Sequence, residues 1–352
     1  MYSVDTRIYA VDPTSPDPAI IQQAAAVIRA GGLVAFPTET VYGLGANATD
    51  TDAVSRIFSA KGRPASDPII VHIAALEQLD SVARNIPDLA RTLAARFWHG
   101  PLTLVLQRGE SIPPNVSAGR DTVAVRMPSH PVARALIQAA GVPVAAPSAN
   151  TFSRPSATTA QHVLEDLNGR VDIILDGGAT PIGVESTVLD LTGEKPVVLR
   201  PGGVSLEMLA PYIPDIAWQP QYLHTDENAT SPGQLIKHYS PNATVLLFDG
   251  EREQVIARML DTARDEMAQG RKVGILAAEE ERGIFETLPF QVVSLGSEGD
   301  LEQISANLFS ALRELDRLGV DLILAHGFGR EGLGAAIWDR LVRAAEGKVI
   351  EV

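Results

Sequence analysis

From Pro211 to Ala243 the chain drops the hydrophobic periodicity it keeps elsewhere. The stretch PYIPDIAWQPQYLHTDENATSPGQLIKHYSPNA is rich in Pro, Asn, Thr and aromatic residues, and connections of this length are usually functional or unstructured. Trp218, Tyr222 and Tyr239 argue against full disorder. One such break in 352 residues, set against roughly 100 to 200 residues per domain, predicts two units with separate cores. Their bounds are 1–210 and 243–352, joined by a linker over 211–242.

Before the break, PAIIQQAAAVIRA (18–30) has helical spacing and stops at Gly31-Gly32, after which LVAFPTE reads as a buried strand. Apolar runs recur at 68–74, 102–107, 123–128, 142–148, 172–178, 186–191 and 197–202, with helical patterns between several of them. The last three follow one another through short turns, which predicts a mixed parallel and antiparallel sheet. After the break the order is strand, helix (251–268), strand, strand, helix (301–318), strand, helix (333–346), the pattern of a small open α/β unit.

Composition narrows the chemistry. The chain has no cysteine, which removes disulfides, zinc-thiolate centres and thiol nucleophiles. Its seven histidines are scattered, without a His-x-x-x-His pair, so no metal ligands are assigned. The net charge of −14 is uneven: residues 1–210 carry −4 and the remainder −10. Such acidity opposes nonspecific binding to nucleic acid, so any nucleic-acid contact is expected to be weak. No apolar run approaches the ~20 residues a membrane helix needs. The acidic, proline-containing start lacks the features of a signal peptide, so a cytoplasmic protein is expected.

Several motifs offer both a plain and a functional reading. HGFGREG (326–332) matches Gly-x-Gly-x-x-Gly between a strand and a helix, but the chain ends twenty residues later, too soon for the rest of a dinucleotide fold; a glycine turn is expected. No Walker loop and no Gly-x-Ser-x-Gly elbow is present. FPTETVYGLGANA (36–48) places Thr38, Glu39 and Thr40 at a strand end and runs into a glycine turn; it reads as a ligand loop or as a polar turn. Lys61 and Arg63 in KGRP either complement the dipole of the preceding helix or clamp a polyphosphate. His72, within PIIVHIA, is a packed core residue or a ligand. Ser148, Asn150 and Ser156 follow another strand and precede a helix start, an anion-binding arrangement, while Ser186, Thr187 and Arg200 lie at further strand termini.

In this order, PTETVYGLGANA, KGRP with DPIIVHI, APSAN, SRPSATT, ESTVLDL and LRPGGVS resemble the YrdC/Sua5 family, the L-threonylcarbamoyladenylate synthases of tRNA modification. SPGQLIKHYSP and GLGAAIWDRLVRAA resemble the linker and C-terminal domain of its long, Sua5 type. The resemblance implies a YrdC-like twisted mixed sheet followed by a smaller Rossmann-like α/β domain. It implies that L-threonine, bicarbonate and ATP yield threonylcarbamoyl-AMP and pyrophosphate, a nucleotidyltransferase reaction. Other proteins then pass the threonylcarbamoyl group to adenosine 37 of tRNAs reading codons that begin with A. Carried over residue by residue, Lys61 and Arg63 are catalytic and bind ATP, together with Ser148, Asn150, Ser156 and Arg200. Threonine falls to Thr38, His72, Arg126, Thr187 and the neighbouring Ser186. Mg²⁺ is expected to arrive with ATP and to have no protein ligand. His238 and Tyr239 of the linker are expected to approach the nucleotide as a lid that shields labile intermediates from water. Two competing readings are an RNA-binding module without chemistry and a transferase using carbamoyl phosphate.

Overall fold

The computed structural model describes residues 4–218, 220, 236 and 238–352. Two sheets organise them. The first has eleven strands in the order Arg7–Ala10, Ile173–Asp176, Val34–Phe36, Gly43–Asn47, Val144–Ala145, Ile70–His72, Thr122–Arg126, Leu102–Arg108, Thr187–Asp190 and Val197–Arg200, with Ala83–Arg84 alongside Leu102–Arg108. Parallel pairs such as Ile70–His72 with Thr122–Arg126 occur beside antiparallel ones such as Leu102–Arg108 with Thr122–Arg126, so the sheet is mixed. Side chains alternate across it. Val34 and Phe36 point to a core shared with helices Pro18–Arg29 and Pro131–Ala140; Ala35 points to a larger one under Thr51–Lys61, Asp88–Phe97 and Ala160–Leu167.

Local chemistry explains the helix bounds. Asp17 caps Pro18–Arg29 through Ala19 N, with Pro18 in the first turn where a missing N–H costs nothing. Asp50 caps Thr51–Lys61 through Asp52 N and Ala53 N, and Gly62 ends it at φ +65°.

The sheet departs from the sequence reading in two places. GLGAN is a buried strand, not a turn: Gly45 pairs with Val34 beneath the Phe36 ring, where a Cβ would stand 2.7 Å from Phe36 Cε1 and 2.8 Å from Val144 Cγ1. Glycine serves here to let two layers approach, a use that hydrophobic patterning cannot distinguish from a turn. Ile173–Asp176 does not neighbour the two strands that follow it. It lies at the far end of the sheet between Arg7–Ala10 and Val34–Phe36, because the segment after Asp176 crosses the sheet's end before Thr187–Asp190 and Val197–Arg200 form their antiparallel pair.

The second sheet is all-parallel, in the order Gln291–Ser294, Val273–Ala277, Leu322–His326, Thr244–Asp249, Val349–Glu351. A helix that patterning misses, Glu279–Phe285, makes the crossover between Val273–Ala277 and Gln291–Ser294. Its seven residues open on three glutamates and include Gly283, so no apolar period shows. The Gly327–Gly332 segment is the expected glycine turn, with Gly329 at φ +85° and Gly332 at +54°.

Helices Leu301–Arg317 and Leu333–Ala344 carry the second sheet against the first. Val41, Val184 and Tyr239 share an apolar cluster with Leu308, Phe309, Ile337 and Leu341. Around it Arg313 bonds Asp166 at 2.8 Å and Pro155 O at 2.6 Å, and Ser305 Oγ donates to Ile182 O at 2.8 Å. Of the linker, 219, 221–235 and 237 lie outside the described residues, including Tyr222 and most of SPGQLIK; His238–Ser240 lie within them, and Ser240 N donates to Ser153 O at 2.7 Å. Among the described residues no helix is long and apolar enough to cross a membrane.

Candidate active site

One end of the first sheet opens into a cavity of about 50 Å³. Strand pairing assembles its walls. His72 and Arg126 are register partners on parallel strands, Arg126 lies opposite Thr103, and Thr187 pairs with Leu102, which sets Ser186 beside them. Thr38, Arg63 and Ser148 from loops, Arg200 from a strand end, and His238 and Tyr239 from the linker add to the lining.

On one side, Thr38 ties its own loop: Oγ1 donates to Val41 O at 2.7 Å and accepts from Thr40 N at 3.1 Å. The polar-turn reading and the ligand-loop reading therefore describe the same residues. Arg126 is 4% exposed. Its guanidinium reaches Glu39 at 2.7 Å, Thr40 Oγ1 at 3.0 Å and Gly100 O at 3.3 Å, so a buried carboxylate already balances its charge. Beside it His72 is 3% exposed. Burial first, and the Arg126 charge second, push its imidazole down to about 3, so the ring is neutral at ordinary pH. Its Nδ1 has no hydrogen-bond partner among the described residues.

Cations gather on the other side. Arg63 pairs with Asp67 at 2.9 Å and donates to Pro68 O at 2.7 Å, while burial raises the Asp67 carboxyl. Arg200 donates to Ser186 O at 2.9 Å and Ser186 Oγ at 3.2 Å, and Ser186 Oγ meets Thr103 Oγ1 at 2.8 Å. Lys61 does not line the cavity. It is 1% exposed, and its ammonium donates to the carbonyls of Ser148 and Asn150 from behind the loop. Burial, and then the Arg63 charge, hold it well below the usual lysine range. Asn150, Ser156 and Thr187 also sit behind the wall: Asn150 Nδ2 braces the loop through Thr151 O and Arg154 O, Ser156 Oγ donates to Glu185 at 2.5 Å, and Thr187 Oγ1 bonds Val204 O.

His238 and Tyr239 bring the end of the linker into the cavity lining. His238 is 6% exposed and meets the Phe152 ring edge-on at 6.2 Å; burial, with Arg63 and three further cations, holds its imidazole well below 6.5. Tyr239 takes the left-handed conformation, φ +61°, and stacks on Phe309 at 5.1 Å. Its hydroxyl is buried with no partner among the described residues, and burial, then Glu185, raise it to about 12. A non-glycine residue at positive φ is rare and persists only where its surroundings hold it.

Comparison with known proteins agrees with this architecture. A family model described as telomere recombination matches residues 26–202, and another, the C-terminal domain of threonylcarbamoyl-AMP synthase, matches 204–346. A threonylcarbamoyl-AMP synthase from Pyrococcus abyssi is 49% identical over 333 residues, 94% of this chain and 96% of that one. This chain belongs to the Sua5 family of threonylcarbamoyl-AMP synthases. A Bacillus subtilis member is 46% identical over 340 residues, 96% of each chain. The crystal structure of P. abyssi Sua5 complexed with L-threonine superposes with a TM-score of 0.92 at 47% identity, over 98% of this chain and 99% of that one.

Sequence reasoning passed over Glu185 within the Sua5-like block GVESTVLDL. It lines the cavity and accepts from Ser156 and from Arg340, 155 positions away, at 2.8 Å. An acid beside a serine gives no local sign of a partner so distant in the chain. Glu39 was visible in its loop, but its pairing with Arg126 was not.

Proposed function

We propose that this chain condenses L-threonine, bicarbonate and ATP into threonylcarbamoyl-AMP and pyrophosphate, acting as a nucleotidyltransferase. The observation that carries the reading is a single cavity with the neutral His72, Arg126 and Thr38 on one side and Arg63, Arg200 and Ser148 on the other. Threonine's amine captures CO₂ as a carbamate; a carbamate oxygen attacks the α-phosphorus, and pyrophosphate leaves. Such a transfer needs positioned reactants and positive charge on the phosphates more than a covalent nucleophile.

In this reading Arg63 and Arg200 contact the phosphates. Lys61 donates to the Ser148 and Asn150 carbonyls and holds that loop in shape from behind the cavity wall. Asn150 and Ser156 act by shaping the loop and by orienting Glu185. Arg126 takes the threonine carboxylate, His72 and Thr38 its polar groups, and Ser186 the adjoining wall, with Thr187 bracing it from behind. His238 and Tyr239 exclude water from the carbamate and the adenylate. Mg²⁺ enters with ATP as part of the substrate: Glu185, the carboxylate on the cavity wall, is engaged by Ser156 and Arg340, and among the described residues no group of three His, Asp or Glu could hold a metal. Other proteins of the cytoplasm, where ATP and tRNA meet, would pass the threonylcarbamoyl group to adenosine 37 of tRNAs reading codons that begin with A.

The test is incubation with labelled bicarbonate, threonine and ATP. Pyrophosphate and a labelled threonylcarbamoyl adenylate should appear together, and only when threonine is present. Pyrophosphate release independent of threonine would overturn the reading.

A further inference from the structure

Arg340, near the end of the second unit's helix Leu333–Ala344, reaches the wall of the cavity in the first unit. Its side chain is fully buried, a position that costs several kcal/mol unless the charge is paired and hydrogen-bonded. Nε donates to Glu185 at 2.8 Å, Nη2 to Pro201 O at 3.1 Å and Nη1 to Asp339 at 2.8 Å, and the guanidinium carbon stands 5.3 Å from the centre of the Tyr239 ring.

Glu185 is the partner that matters for chemistry. It lines the cavity, and its second oxygen accepts from Ser156 Oγ. Burial raises its carboxyl, but Arg340 and then Arg200 outweigh that, so the group is held below its ordinary value and is ionised. An anion in the wall of a polyphosphate site repels the ligand and competes for the same cations. Here the carboxylate is turned toward Arg340 and Ser156, while Arg200 bonds Ser186.

We propose that Arg340 is a positioning residue for nucleotide binding: by holding and neutralising Glu185 from behind, the second domain keeps that carboxylate from pairing with Arg200 and so sets the affinity of the cavity for a triphosphate. The proposal rests on the ATP-dependent reading above. It assigns the second domain a part in ATP binding through one guanidinium, without a ligand of its own.

The experiment uses the full chain with Arg340→Met, Glu185→Gln and the double variant. Binding of ATP and of a non-hydrolysable ATP analogue is measured by calorimetry without threonine, alongside the KM values for ATP and threonine in pyrophosphate release. If the unmodified chain binds neither nucleotide, the functional reading falls; if it binds, the ratios among variants decide the present proposal. Arg340→Met should weaken nucleotide binding about tenfold, equal to a coupling of about 1.4 kcal/mol, and leave the threonine KM within about twofold. Adding Glu185→Gln removes the stranded carboxylate and should restore nucleotide binding to within about threefold of the unmodified chain. A merely structural contact gives a double variant at least as impaired as Arg340→Met, with both KM values displaced, and that result overturns the proposal. So does unchanged nucleotide binding in Arg340→Met. Should Arg340→Met lack a cooperative melt, Arg340→Lys takes its place: it keeps a charge but not the three-way bonding, and the same rescue by Glu185→Gln is required.

Discussion

Replacing His72 by Gln should change how stability depends on pH in a calculable way. The imidazole is 3% exposed and lies near 3 when folded, against an ordinary value of 6.5. Between those values the unfolded chain takes up a proton that the folded chain refuses, so His72 lowers stability as pH falls below 6.5 and has no effect well above it. At pH 5 the difference spans about 1.5 pH units, and at about 1.36 kcal/mol per unit this amounts to about 2 kcal/mol, a large share of the roughly 5–15 kcal/mol available to a domain. Gln fills much of the same space and does not titrate. Urea unfolding of both proteins at pH 7.5, 6 and 5 reads the effect directly. The offset between them at pH 7.5 reports packing, and its change with pH reports titration, because every other group is common to the two. The Gln variant should gain on the parent by about 2 kcal/mol between pH 7.5 and pH 5. An offset that stays constant across this range would refute the buried, neutral ring and with it the role assigned to His72.

Two further outcomes test the packing of the second unit. Gly183 sits at φ +74°, where a Cβ would lie 2.3 Å from Ser305 O and 2.4 Å from Ala306 Cα across the domain contact, whereas Gly319 has φ +69° and open space. Gly319→Ala should cost about 1 kcal/mol from backbone strain and Gly183→Ala a further 1–3 kcal/mol or so from overpacking, read as a larger fall in Tm; equal falls would show that the contact can yield. His326, 2.8 Å from Glu281, has the opposite sign to His72. Burial lowers its imidazole but the Glu281 bond and charge outweigh burial and raise it, so its stabilisation is present below 6.5 and lost as pH rises through the folded value. His326→Gln should therefore cost more stability at pH 6 than at pH 9, and a pH-independent cost would contradict the pairing.

The places where the residues misled are informative. GLGAN looked like a turn because glycines punctuate chains, yet Gly45 is needed where Phe36 and Val144 close on the strand. Glu279–Phe285 left no trace in the hydrophobic pattern because a short, acid-rich helix exposes most of its surface. Lys61 and Arg63 stand two positions apart in one motif, but Gly62 ends the helix between them, sending Lys61 behind the Ser148–Asn150 loop while Arg63 reaches the cavity.

By itself the sequence determined the two α/β units, the long break between them and the residue types gathered at strand ends. Those features depend on local periodicity, turn chemistry and composition, which neighbours in the chain decide. Motif resemblance added the reaction class. Only the tertiary structure decided which polar groups are neutralised: Glu39 by Arg126, Asp67 by Arg63, and Glu185 by Arg340. The physical reason is that burial makes a charge costly and a partner necessary, while the partner is selected by proximity in space. In Glu185 and Arg340 that partner comes from another domain, 155 positions along the chain.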